Sequence, residues 1–179
     1  MNILLFGVSN VGKTVTGKLL AKYLGYTFFD IDQLVKDELG ITLEEFVSTG
    51  TLFERDHLRC DIIHSLTYIK GNKVVAVTPL SYIQDIIPLL SSPYVMAIEL
   101  KDSAENIFNR LVFSDENDVI YQDDDYKYAH ADYYLSEIQK DLEWYGSIYT
   151  ILEHHFDISG RTPEETADAL IETFHLREV

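Results

Sequence analysis

An apolar run, Ile3-Leu4-Leu5-Phe6, stops at a glycine and leads directly into Gly7-Val8-Ser9-Asn10-Val11-Gly12-Lys13-Thr14. The spacing Gly-x-x-x-x-Gly-Lys-Thr admits few folds. Its glycines let backbone N–H groups turn inward around phosphate oxygens, and the helix that follows must aim its positive end at them. From Lys13 to Leu24 the apolar positions Val15, Leu19, Leu20, Tyr23 and Leu24 recur at helical spacing before Gly25, which supplies a stop. The unit is therefore strand, glycine-rich turn, helix. It predicts that Gly7, Ser9, Asn10, Val11, Gly12, Lys13 and Thr14 cradle the phosphates of a nucleoside triphosphate, expected to be ATP, with the Thr14 hydroxyl on Mg²⁺.

The rest of the chain repeats the alternation. Tyr26 to Phe29 reads as a second strand ending at Asp30-Ile31-Asp32, followed by a helical pattern to Gly40. Thr42-Leu43-Glu44-Glu45 has capping-box form, and a longer helix is expected from about Phe53 to Ile69. Buried strands are expected at 73–77 and 94–99, separated by a helix near Ile83 to Leu90. A long helix is predicted over 133–154, then a last strand at 155–158. Thr162-Pro163-Glu164-Glu165 launches the terminal helix. The segment 113–127 is acidic and lacks an apolar period, so it reads as a mobile loop or lid. Such alternation argues for a parallel sheet covered on both faces, in one domain spanning 1–179.

Charge and composition narrow the partners. With 30 acidic and 14 basic side chains the net charge is −16, which repels nucleic acid and anionic membrane surfaces. The single cysteine, Cys60, excludes an intrachain disulfide. No stretch reaches the roughly 18 apolar residues of a membrane helix, and a cytoplasmic monomer acting on a small molecule is expected.

Asp30 and Asp32 follow the second strand, where open α/β sheets place ligand chemistry. Asp30 is expected to hold Mg²⁺, and Asp32 to orient an acceptor hydroxyl and take its proton. Asp32 also fits as the N-cap of a helix starting at Gln33.

These residues, with Phe29-Asp30-Ile31-Asp32-Gln33, Gly40-Ile41-Thr42-Leu43-Glu44-Glu45-Phe46, Gly50 and Arg55, Asn109-Arg110-Leu111 and Gly160 to Glu165, resemble the shikimate kinases. The resemblance implies an α/β fold of the P-loop NTPase type, a five-stranded parallel sheet in the order 2-3-1-4-5 flanked by helices, and transfer of the γ-phosphoryl of ATP to a small hydroxylated acid. By the same resemblance Arg110, Arg161 and Pro163 line the adenine, and Asp32 and Arg55 contact the acceptor. Arg59, one helical turn beyond Arg55, is an alternative contact. Three stretches depart from the family pattern. Thr78-Pro79-Leu80 stands where a glycine triplet is expected. No arginine lies between Arg110 and Arg161, so the lid lacks its usual cation; Asn117-Asp118-Val119 occupies that place, and Lys127 is the one basic lid residue. An arginine of the last long helix is replaced near Trp144 to Tyr149. The alternative these departures leave open is an ATP-binding, sensor-like or regulatory protein with weak or no kinase activity.

Overall fold

The computed structural model describes residues 1–177. Strand β1 (Asn2–Phe6) leads through the glycine-rich turn into α1 (Lys13–Leu24). β2 (Thr27–Asp30), α2 (Ile31–Leu39), α3 (Leu43–Ser48), α4 (Leu52–Tyr68) and β3 (Lys73–Ala76) follow. A 3₁₀ turn at Gln84–Ile86 and one helical turn, α5 (Ile87–Leu90), precede β4 (Val95–Lys101) and α6 (Ala104–Asn109). Then come β5 (Phe113–Ser114), β6 (Ile120–Tyr121), α7 (Asp124–Ala129), α8 (Ala131–Ile148), β7 (His154–Asp157) and α9 (Pro163–Thr173).

Five strands form one parallel sheet in the order β2-β3-β1-β4-β7, which is the expected 2-3-1-4-5 arrangement with β7 as the fifth strand. Alternation along β1 feeds two cores. Leu4 and Phe6 pack with Val75, Ile31, Val35, Ile63 and Tyr149 on the face of α2 and α4, whereas Ile3 and Leu5 pack with Val74, Ile98, Leu20 and Leu170 on the face of α1 and α9. A strand buried on both faces favours a continuous apolar run, and all five residues of β1 are buried, including Asn2, whose side-chain amide donates to Tyr94 O. No helix among the described residues is long and apolar enough to cross a membrane.

Two differences from expectation bear on the site. The lid is not an unstructured loop: β5 and β6 pair antiparallel around a turn in which Asp115 Oδ1 accepts from Asn117 N (2.8 Å) and Val119 N (2.9 Å), and α7 follows. Strands of two residues leave no period in a sequence, and acidic side chains there make local turn bonds instead of facing only water. The helix expected over 83–90 is a 3₁₀ turn plus a single α turn, shortened around Pro88, which has no N–H to donate.

Candidate active site

Gly7 and Gly12 adopt φ values of 133° and 111°, in the region open to glycine. A Cβ at Gly7 would stand 2.5 Å from the Leu100 carbonyl oxygen, so the start of the turn lies against β4. Lys13 is folded back into this cradle. Its ammonium donates to Gly7 O (2.8 Å) and Val8 O (2.7 Å), and it is almost wholly buried. Burial pushes the Lys13 ammonium down to about 8, against the opposing pull of the Asp32 and Asp30 carboxylates. An anion in the cradle would restore the charge-stabilising partner that the two carbonyls only partly supply.

Thr14 Oγ1 donates to Asp30 Oδ2 at 2.7 Å, bringing the start of α1 and the end of β2 together. Asp30 is the last residue of β2, with extended backbone, and its Oδ1 accepts from Asp32 N (3.1 Å) and Gln33 N (3.4 Å). The N-cap of α2 is thus Asp30, not Asp32. Asp32 sits in the first turn of the helix, and its side chain is left for other partners. Its Oδ1 meets Arg59 Nη2 at 3.5 Å. Burial raises the Asp32 carboxyl above its ordinary range, Asp30 adds to this, and Arg59, Thr78 and Lys13 oppose it. A carboxylate held this way is a stronger proton acceptor than a free one.

Arg55 does not join this group. Its Nη1 donates to Thr49 O (2.9 Å) and Gly50 O (3.1 Å), closing the carbonyl end of α3. Arg59 stands beside Asp32 instead, 7% exposed, with Nη1 3.3 Å from Asp56 Oδ1 and its guanidinium over the Phe46 ring. Thr51 is the N-cap of α4 in a full capping box with Glu54. Sequence reasoning missed Asp56. This fully buried carboxylate accepts from Ser81 N (2.8 Å) and Tyr82 N (3.1 Å) as well as from Arg59. The available signal was helical spacing, which puts Asp56 on the face of Cys60 and Ile63, both buried.

On the other side of the phosphate loop, Arg110 Nη2 donates to Asp102 Oδ2 (2.7 Å), and Arg161 Nη1 donates to Asp157 O (3.0 Å) and Ile158 O (2.8 Å). Asp102 also accepts from Asn106 Nδ2, which lies 3.2 Å from where a Cβ of Gly160 would be, so the two arginine-bearing turns lie against each other. Burial would raise the Asp102 carboxyl, but bonds from Asn106, Arg110 and Ser103 N hold it below its usual range. Pro163 opens α9 behind the Thr162 cap.

The lid places Asp118 and Lys127 unlike a phosphate-facing pair. Asp118 accepts from Leu43 N (3.0 Å) and pairs with Lys36 Nζ (3.1 Å). Lys127 is buried, paired with Asp124 Oδ1 at 3.1 Å and lying near the Phe108 and Tyr128 rings, so it is neither a solvent lysine nor directed into the cradle. His154 and His155 lie on β7, not at a helix end, and His155 Nδ1 is 2.6 Å from Glu99 Oε2. No group of three or more potential metal-ligating side chains occurs among the described residues. A cavity of ≈ 460 Å³ between α2 and α4, lined by Leu34, Leu58, Ile62, Leu66 and Ile69, includes no residue of the phosphate loop and neither Asp30 nor Asp32. The chemistry-bearing side chains lie elsewhere, at the carboxyl ends of β1 and β2.

Comparison with known proteins agrees with this geometry. The family model described as "Shikimate kinase" matches residues 9–175. The shikimate kinase of Bacillus licheniformis is 27% identical over 176 residues, covering 98% of this chain and 94% of the relative. The crystal structure of shikimate kinase from Bacteroides thetaiotaomicron superposes with a TM-score of 0.79 at 21% identity, covering 98% of each chain. Shikimate kinase from Acinetobacter baumannii, solved in complex with shikimate, gives a TM-score of 0.71 at 18% identity, covering 99% of this chain and 94% of that one. A phosphate cradle at the end of β1, two aspartates at the end of β2, the sheet order and the family match over nearly the whole chain converge: this chain belongs to the shikimate kinase family, phosphotransferases with a hydroxyl acceptor.

Proposed function

We propose that the chain transfers the γ-phosphoryl group of ATP to a hydroxyl of shikimate or a closely related hydroxylated acid. The observation that carries this reading is the division of labour between the two aspartates. Asp30 caps α2 and meets Thr14, while Asp32 keeps its side chain free of the helix, with a raised proton affinity. The Acinetobacter structure, a fold neighbour described with shikimate bound, lends support to the acceptor class.

In this reading Gly7, Ser9, Asn10, Val11, Gly12, Lys13 and Thr14 hold the triphosphate through backbone N–H groups, the ammonium and the hydroxyl. Arg110, Arg161 and Pro163 border the base. Thr14 Oγ1 and Asp30 Oδ2, 2.7 Å apart, are the oxygen donors suited to Mg²⁺, which when bound neutralises phosphate charge. Lys13 exchanges the Gly7 and Val8 carbonyls for phosphate oxygens. Asp32 orients the acceptor hydroxyl and accepts its proton as the new O–P bond forms and the bond to the leaving diphosphate breaks. The absence of a lid arginine lowers the expected rate, since a phosphate-facing arginine contributes roughly 10³ to 10⁵ in related enzymes. A coupled assay of ADP release with shikimate, quinate and gluconate tests the reading. At least one acid should raise turnover well above basal hydrolysis, and a flat response to all three sinks it.

A further inference from the structure

The cavity between α2 and α4 lies apart from the chemistry-bearing residues and has the form of a groove between two helices. Along α4 and its cap, Leu58, Ile62, Leu66 and Ile69 recur at spacings of three and four residues, and Leu34 faces the same space from α2. Ile62 and Leu66 belong to the core, so the floor is the outer edge of packed apolar side chains. Leu34 and Leu58 are only partly covered, and Ile69 is 53% exposed. At the helical rise, Leu58 to Ile69 extend over about 16 Å, roughly three turns of a second helix. An apolar stripe of that length facing water is the feature a docked helix covers.

The rim is acidic. Asp37 and Glu38 of α2 and Asp61 of α4 line the same groove, and none pairs with a lysine or arginine among the described residues. Asp37 accepts from Gln33 Nε2 (2.8 Å) within its own helix, and Asp61 has the His57 ring at 3.9 Å. The cations nearest in sequence are placed elsewhere: Lys36 pairs with Asp118 (3.1 Å), and Lys70 follows the end of α4 and is not part of the lining. An apolar floor under an uncompensated acidic rim selects an occupant that is apolar on one side and cationic at its edges. A second copy of this chain, at net charge −16, would bring acid toward acid, and the same carboxylates repel an anionic membrane surface. An extended strand finds no free sheet edge here, since both walls are helices. We propose that the groove docks a basic amphipathic helix of a partner protein, with its apolar stripe over Leu58, Ile62 and Ile69 and its lysine and arginine side chains against Asp37, Glu38 and Asp61. None of these residues binds or transfers phosphate in the reading above, so docking and turnover are separable.

The probe is a fluorescently labelled helical peptide of leucine and lysine, about 14 residues long with its leucines on one face, titrated with the full chain at about 0.15 M salt and followed by anisotropy. Two peptides serve as comparison: one of the same composition reordered so that no apolar face forms, and one with glutamate for every lysine. The amphipathic basic peptide should bind at least about tenfold more tightly than the reordered one, and the acidic one should not bind. Glu38→Lys combined with Asp61→Lys should weaken it about tenfold or more, and Ile69→Ser about fivefold. Asp168→Lys combined with Glu172→Lys, an equal change of charge at exposed positions of α9 across the sheet, should weaken it less than about twofold. Bound peptide should shift the amide NMR signals of residues 34–38 and 58–69. Equal binding of the amphipathic and reordered peptides would reveal attraction by net charge alone and overturn the docking surface. Equal weakening by the two charge-reversed pairs, signal shifts confined to other segments, or no binding would overturn it as well. If the variant altered at Glu38 and Asp61 does not fold, Ile69→Ser and the amide map decide.

Discussion

Lys13 carries the sharpest consequence at the scale of single residues. Its burial lowers the ammonium to about 8, and the charged form is the one that pairs with phosphate. Nucleotide affinity should therefore fall as pH rises through about 8, which equilibrium binding of ATP between pH 7 and 9 would register; a flat profile would mean that Lys13 contributes no charge to binding. Thr51 offers a stability counterpart. Because its hydroxyl and Glu54 close the N-terminus of α4, Thr51→Ala should cost about 1 kcal/mol, read from denaturant midpoints. The strand, glycine turn and helix of residues 2–24 were legible in the sequence, since that geometry depends on spacing within a few residues. The aspartates were legible as a pair but not in which of them caps α2. Either aspartate suits an N-cap by type, and only the extended backbone of Asp30 decides which one caps. Arg55 and Arg59 lie about one turn apart on α4, so helical spacing could not separate them. The carbonyls of Thr49 and Gly50, presented by the end of a different helix, made the choice.

Secondary-structure elements differ in how far their sequences announce them. α3 and α9 open with capping boxes whose four residues are contiguous, and both start where local rules put them. The lid hairpin hides because its strands are two residues long and its turn is built by Asp115. Its anchor is tertiary: Asp118, in a positive-φ turn, reaches the N-terminus of α3 and Lys36 on α2, holding the lid against these two helices. The Leu43 N–H and the Lys36 ammonium, against a smaller effect of burial, hold the Asp118 carboxyl below its usual range. A carboxylate that is more acidic in the folded state than in the open one contributes fully above its ordinary value, about 3.9, and loses that contribution as pH falls through the lower folded value. Protection of the amides in residues 113–123, with intrinsic exchange rates divided out, should accordingly fall on acidification from pH 6 to pH 3, and Asp118→Asn should show the lower protection already at pH 6. Equal protection in both proteins at pH 6 would remove Asp118 as the anchor.

Across the whole molecule, the alternation of apolar runs and helical patterns was enough to anticipate a parallel sheet, and the family resemblance anticipated its strand order. What sequence could not convey is how the sheet gathers distant residues at one edge. β1, β2 and β3 run side by side, so Gly7–Thr14, Asp30–Asp32 and Thr78 emerge together, and α4 lies over them with Asp56 and Arg59 inward. Each of the three departures from the family pattern has its own contact: Ser81, two residues after Pro79, donates to Asp56, Asp118 of the lid pairs with Lys36, and Trp144 donates to Ser81. In the proposed reading the phosphate loop follows the family pattern, whereas the departures fall in the lid and on the acceptor side. Phosphorus NMR of the products formed from ATP, Mg²⁺ and shikimate tests that account most directly. A new phosphomonoester signal should grow with wild type and be reduced at least a hundredfold in rate with Asp32→Asn while ATP binding is retained. Only inorganic phosphate from wild type, or an undiminished phosphomonoester from Asp32→Asn, would contradict it.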